Sequence, residues 1–151
     1  EGEYSVGERT GQGIFIYADK RKYIGQFKNG LMNGFGAYSW PDGSKYEGYW
    51  TDDKQNGRGK FISSTGDSYD GEWTNGMMNG EGVLRLADGT KFKGFFKNGL
   101  RHGKCIEESK EGVRFEGTYK EDKRDGAYTE RDKDGNIIRQ GFYKNGYLES
   151  K

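Results

Sequence analysis

His102 and Cys105 stand three residues apart in Leu100-Arg101-His102-Gly103-Lys104-Cys105. An imidazole so close to a thiol could act as base to a nucleophile. They are the only histidine and the only cysteine of the chain. That is too few for a common zinc site, which draws its protein ligands mainly from Cys and His. Asp52-Asp53 and Asp132-Lys133-Asp134 are the acidic clusters. Neither has the alternating spacing of oxygen ligands in a calcium loop. Gly-x-Gly occurs at Gly11, Gly34, Gly57 and Gly80. None of these opens a helix after a strand, so no phosphate loop is implied. No constellation completes a catalytic site. The expectation is no enzyme, no cofactor and no metal.

Each of these residues has a place in a repeat instead. Aromatic-x-Gly recurs at Tyr23, Tyr46, Tyr69, Phe92 and Phe115, in steps of 23 residues. An earlier copy keeps Gly2 but lacks its aromatic. After the fifth, the spacing slips by one to Gly141, with Arg139 in the aromatic place. Two residues past each glycine stands another ring: Tyr4, Phe27, Trp50, Trp73, Phe96, Tyr119 and Tyr143. A second glycine follows at Gly11, Gly34, Gly57, Gly80, Gly103 and Gly126, and a third two residues later at Gly13, Gly36, Gly59 and Gly82. Cys105 and Tyr128 take the third place in the later copies. His102 precedes a second glycine, where Asn33, Asn56 and Asn79 stand elsewhere, so it reads as a turn residue that bonds to backbone.

The period describes two short strands per unit. In Tyr46-Glu47-Gly48-Tyr49-Trp50, strand alternation puts Tyr46, Gly48 and Trp50 on one face. Gly36, Tyr38 and Trp40 follow the same rule. Each glycine leaves a gap that a ring of the adjacent strand can cover, which offsets the weakness of glycine in a strand. Asn-Gly and Asp-Gly pairs supply turns that need positive φ. The predicted fold is all-β: a single-layer twisted antiparallel meander, or solenoid, of hairpin repeats. The units run 1–22, 23–45, 46–68, 69–91, 92–114 and 115–138, with a partial 139–151, as one array. The polar stretch Tyr128-Thr129-Glu130-Arg131-Asp132 reads as a C-terminal cap with a charged edge.

The pattern Tyr-x-Gly-x-Trp followed by Gly-x-Gly, as in Tyr46 to Gly59 and Tyr69 to Gly82, strongly resembles the MORN repeat (membrane occupation and recognition nexus). The resemblance covers essentially the whole chain. It implies a single-layer twisted antiparallel β structure. It also implies one of several roles: protein-binding scaffold near membrane or cytoskeleton, dimerising rod, phospholipid binder, or accessory domain of a kinase or methyltransferase.

Composition narrows the partners. The chain has 151 residues, 27 glycines and 15% aromatic residues. That aromatic content opposes disorder despite the low apolar content. The net charge is +1, from 25 basic and 24 acidic residues that are interspersed. Nucleic acid needs a concentrated basic face, so it is not an expected partner. Anionic lipid has weak support in Lys20-Arg21-Lys22 and in Lys28, Lys93, Lys97, Lys120 and Lys144. A chain without paired cysteines suits a reducing compartment, here the cytoplasm, with cytoskeletal or membrane association. The start at Glu1 reads as a piece of a longer protein.

The remaining apolar residues are those the repeat does not require. Ile24, Tyr49, Phe95 and Phe142 interrupt a polar face on first strands, and Ile14, Ile16, Ile62, Val83 and Ile106 do so on second strands. The hairpin loops add Leu31-Met32, Met77-Met78 and Leu100. Grouped exposed apolar residues signal interfaces. Ile24, Leu31, Met32, Tyr49, Met77, Met78, Phe95 and Phe142 are therefore the candidate partner-binding residues. The expected role is a non-catalytic protein-binding scaffold that takes a helix or extended segment, or self-associates. The alternatives are a peripheral phospholipid-binding module and a regulatory domain of a larger enzyme.

Overall fold

A computed structural model describes residues 11–149, so Gly2 and Tyr4 of the first repeat lie outside the described residues. The chain forms two compact units, Glu1–Met77 and Met78–Lys151. In the first, the strands are β1 (Gly11–Ile16), β2 (Lys22–Lys28), β3 (Leu31–Ser39), β4 (Lys45–Thr51), β5 (Lys54–Ile62) and β6 (Ser68–Thr74). In the second they are β7 (Met77–Arg85), β8 (Lys91–Lys97), β9 (Leu100–Glu108), β10 (Arg114–Lys120), β11 (Lys123–Arg124), β12 (Gly126–Arg131), β13 (Ile137–Lys144) and β14 (Tyr147–Leu148). Within each unit consecutive strands pair antiparallel, and β11 joins β10 beside β12. The fold is the predicted all-β meander.

Alternation is strict along the first strands β2, β4, β6 and β8. In β2 and β4 every second residue is buried. The buried set is the aromatic-glycine stripe: Tyr23 and Tyr46 are fully buried, and Phe27, Trp50, Tyr69 and Trp73 nearly so. One sheet layer buries these rings because they lie down across neighbouring strands. Trp50 meets Tyr23 edge-on at 5.5 Å and Tyr46 at 5.2 Å. Trp73 meets Tyr46 at 5.2 Å and Tyr69 at 5.3 Å in the same way. Edge-to-face pairs add about 0.5–1.5 kcal/mol each beyond their area. Indole N–H groups are satisfied too: Trp50 donates to the Gly36 carbonyl and Trp73 to that of Gly59.

The second glycine of each repeat has a backbone reason. Gly57 has φ of 98°, a region that glycine enters without a Cβ penalty. There the β4–β5 register shifts, passing from Gly48↔Gly59 to Trp50↔Gln55. The same shift occurs at Gly25/Phe27 and at Gly94/Phe96. These are bulges, which interrupt the ladder and increase local twist. The Tyr46 hydroxyl donates to the Tyr49 carbonyl across from the bulge, and Tyr23 and Tyr69 do the same to Gln26 and Glu72.

Two-residue turns close the first-strand hairpins. Asn29-Gly30, Asn98-Gly99 and Asn145-Gly146 hold positive φ at both positions, and so do Asp52-Asp53 and Glu121-Asp122. The carboxylates compensate for the missing glycine: Asp53 accepts from the Met32 N–H at 2.8 Å, and Asp122 from the Arg101 N–H and Nε.

The end of the chain departs from the expected cap. The polar β12 is not an edge, because β13 pairs along it and β14 follows. Asn145-Gly146 makes one more hairpin turn and carries the chain back. The one-residue slip in the repeat is absorbed as a bulge: Glu130 faces Arg139 while Arg131 faces Ile137.

Candidate binding surfaces

The outward face of the first unit collects apolar side chains by register alone. Ile14 faces Ile24, and Ile24 faces Ala37 on its other side. Phe35 faces Tyr49, with ring centroids 5.4 Å apart in an edge arrangement. Ile14, Ile24, Phe35 and Tyr49 are each between 43% and 50% exposed. These side chains are partly covered by their cross-strand neighbours and otherwise open to solvent. Beyond Ala37 the same row continues as Glu47, Lys60 and Asp70, so the patch has a polar border.

In the second unit the row reads Val83, Lys93, Ile106 and Glu116. Phe95 and Ile106 are about half exposed. They border a shallow hollow of about 640 Å³ floored by Gly94, Cys105 and Gly117 and flanked by Lys93, Lys104 and Glu116. Burial pushes the Cys105 thiol up to about 12. A thiol held protonated is a poor nucleophile, so its place beside His102 in sequence gives no activated pair. His102 instead accepts from the Glu121 N–H through Nδ1, at 3.2 Å.

The eight candidate residues are not brought together in one place. Ile24 and Tyr49 share the outward face of the first unit with Phe35, which the sequence reading did not single out. Phe95 lies on the second unit beside Ile106, and Phe142 is 58% exposed on β13. Leu31 and Met77 are exposed. Met32 is not a surface residue. It is 7% exposed, because the Asn29-Gly30 turn needs only two residues and β3 starts at Leu31. Alternation then turns Met32 inward, opposite Phe27. Met78 is half-buried by the same alternation.

The aromatic face also changes character between units. At the Met32 position of the repeat, Gln55 and Met78 come next and the later copies in the second unit have Arg101 and Arg124. The Arg101 guanidinium lies 4.4 Å from the Tyr119 ring centre, and Arg124 lies 3.8 Å from that of Phe115. Arg124 also reaches Glu107 at 3.2 Å and the Tyr143 hydroxyl at 3.1 Å. Glu107 stands where the first unit has Tyr38 and Phe61. Carboxylate and guanidinium fill the space of rings. Among the described residues no group of three or more His, Cys, Asp or Glu side chains is placed to hold a metal ion.

The sequence model for the MORN repeat matches residues 1–20, 23–45, 46–68, 69–91, 92–114 and 115–127. The chain belongs to the MORN repeat family. No curated protein matches this MORN array. Among solved structures, the array is similar to the TCP domain of SAS-4 (dCPAP) from Drosophila melanogaster, solved in complex with a proline-rich motif of Ana2 (dSTIL). That likeness has 14% identity and a TM-score of 0.51, over 94% of this chain and 86% of that one. It is also similar to the wild-type TCP10 domain of CPAP from Danio rerio, with 14% identity and a TM-score of 0.31, over 87% and 73%. The Drosophila domain shares the fold of the MORN array.

Proposed function

We propose that this MORN array is a non-catalytic protein-binding scaffold of the cytoplasm that seats an extended polypeptide on its outward face. The carrying observation is the Phe35–Tyr49 ring pair, about half exposed on a face that the fold does not need to be apolar. Glu72 and Thr118 occupy the Tyr49 position in other repeats, so the aromatic there is not a requirement of the sheet. Aromatic side chains are favoured as binding anchors. The Drosophila neighbour supports the reading, since a sheet of this kind was solved with a proline-rich segment of another protein.

The test is a photo-crosslinking amino acid placed at Tyr49, and separately at Phe95, in the source cell. Crosslinks to one recurring polypeptide are expected at either site. The charge-introducing variants Tyr49→Glu and Phe95→Glu, alone and together, should melt as the wild type does but lose that polypeptide. A folded double variant that retains full capture would end this reading.

A further inference from the structure

Strand alternation sorts charge on the outward face of the second unit. On β8 that face carries Lys91, Lys93, Phe95 and Lys97, because the buried residues between them turn to the ring face. On β9 it carries Lys104, Ile106 and Glu108. Other acids of this unit lie on the ring face or at turns, already paired: Glu107 with Arg124, Glu130 with Arg139 and Asp122 with Arg101. Charges that are interspersed along the sequence are thus separated in space.

The hollow over Gly94, Cys105 and Gly117 lies between two rows of this face. Cross-strand register sets its walls. In one row Lys93 faces Ile106, and Ile106 faces Glu116. In the other, Phe95 faces Glu81 and Lys104 faces Thr118. Two ammonium groups and two apolar side chains therefore stand crosswise around the middle of the hollow, with a carboxylate at each end. The Glu116 carboxylate is already matched, by the Nε of Arg131 at 3.3 Å. Lys93 and Lys104 make no ion pair or hydrogen bond to any described residue. Arg114, two residues before Glu116 on the same face, has no ion pair either, and its Nε is buried without a hydrogen-bond partner. Glu81 and Glu108 are the unpaired acids of the outward face of β7 to β10, so unpaired positive charge is in excess there.

We propose that this hollow takes an acidic, apolar peptide segment, with one carboxylate between Lys93 and Lys104 and a neighbouring apolar side chain against Phe95 and Ile106. The proposal rests on the outward-face reading for the face and adds the chemistry of the partner. Charge selects the occupant. Lys93 and Lys104 start from diagonal places on adjacent strands, about 7–8 Å apart, so both flexible side chains reach one group held between them. A carboxylate there accepts two charge-assisted hydrogen bonds. A basic segment would meet unpaired cations instead. A wholly apolar one would cover both ammonium groups without giving them a partner, which costs free energy. A nucleic acid strand or an anionic membrane repeats its negative charge along the whole hollow and would set it beside Glu81.

The test is fluorescence anisotropy of short labelled peptides titrated with the full chain. One peptide carries Leu-Glu-Leu-Glu between Gly-Ser flanks. In the others lysine replaces glutamate, or serine replaces leucine. The first should bind, the lysine peptide should not, and the serine peptide should bind several-fold more weakly. The double variant Lys93→Gln with Lys104→Gln changes exposed side chains, so it should melt as the wild type does. It should weaken the first peptide about 2–10-fold, as for two exposed ion pairs, and reduce the salt dependence of binding. Tyr49→Glu, in the first unit, should leave this titration unchanged. No binding of the Leu-Glu peptide at millimolar concentration would overturn the proposal. So would equal binding of the glutamate and lysine peptides, or an unchanged affinity in the double glutamine variant. Tighter binding of oligothymidylate or of phosphatidylserine vesicles than of the peptide would overturn it in favour of those ligands. A cellular crosslink at Phe95 that persists undiminished in the double glutamine variant would remove this proposal and keep the outward-face reading.

Discussion

The hydroxyl of Tyr46 occupies the space that a β-carbon on Gly59 would need, and the ring behind it fills the rest of that gap. Tyr23 stands over Gly36 in the same way. Ring and glycine are thirteen residues apart in sequence, and the same spacing tells what happens when the glycine is lost. Cys105 and Tyr128 replace it, and the rings paired with them are Phe92 and Phe115. The hydroxyl is absent wherever a side chain takes its space.

Gly59→Ala is therefore expected to destabilise by about 1–3 kcal/mol, the range of overpacking in a full core. Tyr46→Phe alone should cost about 0.5–1.5 kcal/mol, through loss of the bond to the Tyr49 carbonyl. Together they should cost less than the sum, because the phenyl ring no longer carries the nearest clashing atom. A double-mutant cycle from denaturant melts should give a favourable coupling of about 0.5 kcal/mol or more. Strict additivity would mean that ring and glycine are not a packing pair.

Burial of these tyrosines also sets an alkaline limit. An unfolded tyrosine ionises near 10, whereas burial pushes Tyr23 and Tyr69 up to about 12. Between those values the unfolded chain releases protons that the folded chain keeps. Stability from these groups is complete below pH 10 and falls as pH rises toward 12. Each contributes a loss of up to about 1.4 kcal/mol per pH unit in that window. The buried Cys105 thiol acts in the same direction from pH 9 upward. Denaturant midpoints measured across this range should fall less steeply in Tyr23→Phe than in the wild type. Equal slopes would show that the hydroxyl is not protected from ionisation.

The second unit seats a guanidinium at the repeat position where the first unit has Met32 and Gln55. Arg124 stacks on Phe115 and bonds to Glu107 and Tyr143. A lysine there would keep the charge but lose the planar stacking and the forked donors. Arg124→Lys should cost about 1–2 kcal/mol. That is below the 3–5 kcal/mol of a fully buried broken pair, because Arg124 remains partly exposed. The chemical melt of the full chain is the measurement. An unchanged midpoint would reduce the stacked guanidinium to a surface ornament.

Much of this was legible in the sequence, for a physical reason. Strand alternation and two-residue turns are local rules, so the stripe from Tyr23 to Trp73 and the hairpins could be read directly. Met32 was misplaced although its signal was present: Asn29-Gly30 is a complete turn, which puts Leu31 already in a strand. The polar β12 was read as an edge because charge marks edges, but Asn145-Gly146 announces a further hairpin. Trp40 shares the parity of the buried rings, but its position at the turn leaves it only half-buried. Contacts such as Arg124 with Glu107, seventeen residues apart, depend on which side chains lie down across the sheet, and no local rule gives that.

His102 shows how a residue with chemical promise can be explained by a turn. Its Nδ1 accepts from the Glu121 N–H at 3.2 Å. At the same repeat position, Asn56 accepts from Asn75, Asn79 from Asn98 and Asp125 from Asn145. In each case the donor opens a turn at positive φ, between 47° and 50°, where its amide points away from the ladder. The side chain one hairpin back satisfies that amide. An asparagine at 102 can do the same, so His102→Asn should change stability by no more than about 0.5 kcal/mol, as for a surface substitution. Leucine offers no acceptor. His102→Leu should cost about 0.5–1.5 kcal/mol and speed hydrogen exchange at the Glu121 amide, with little change at amides in β8. If His102→Asn exchanged at Glu121 as fast as His102→Leu, the imidazole would have some task other than closing this turn.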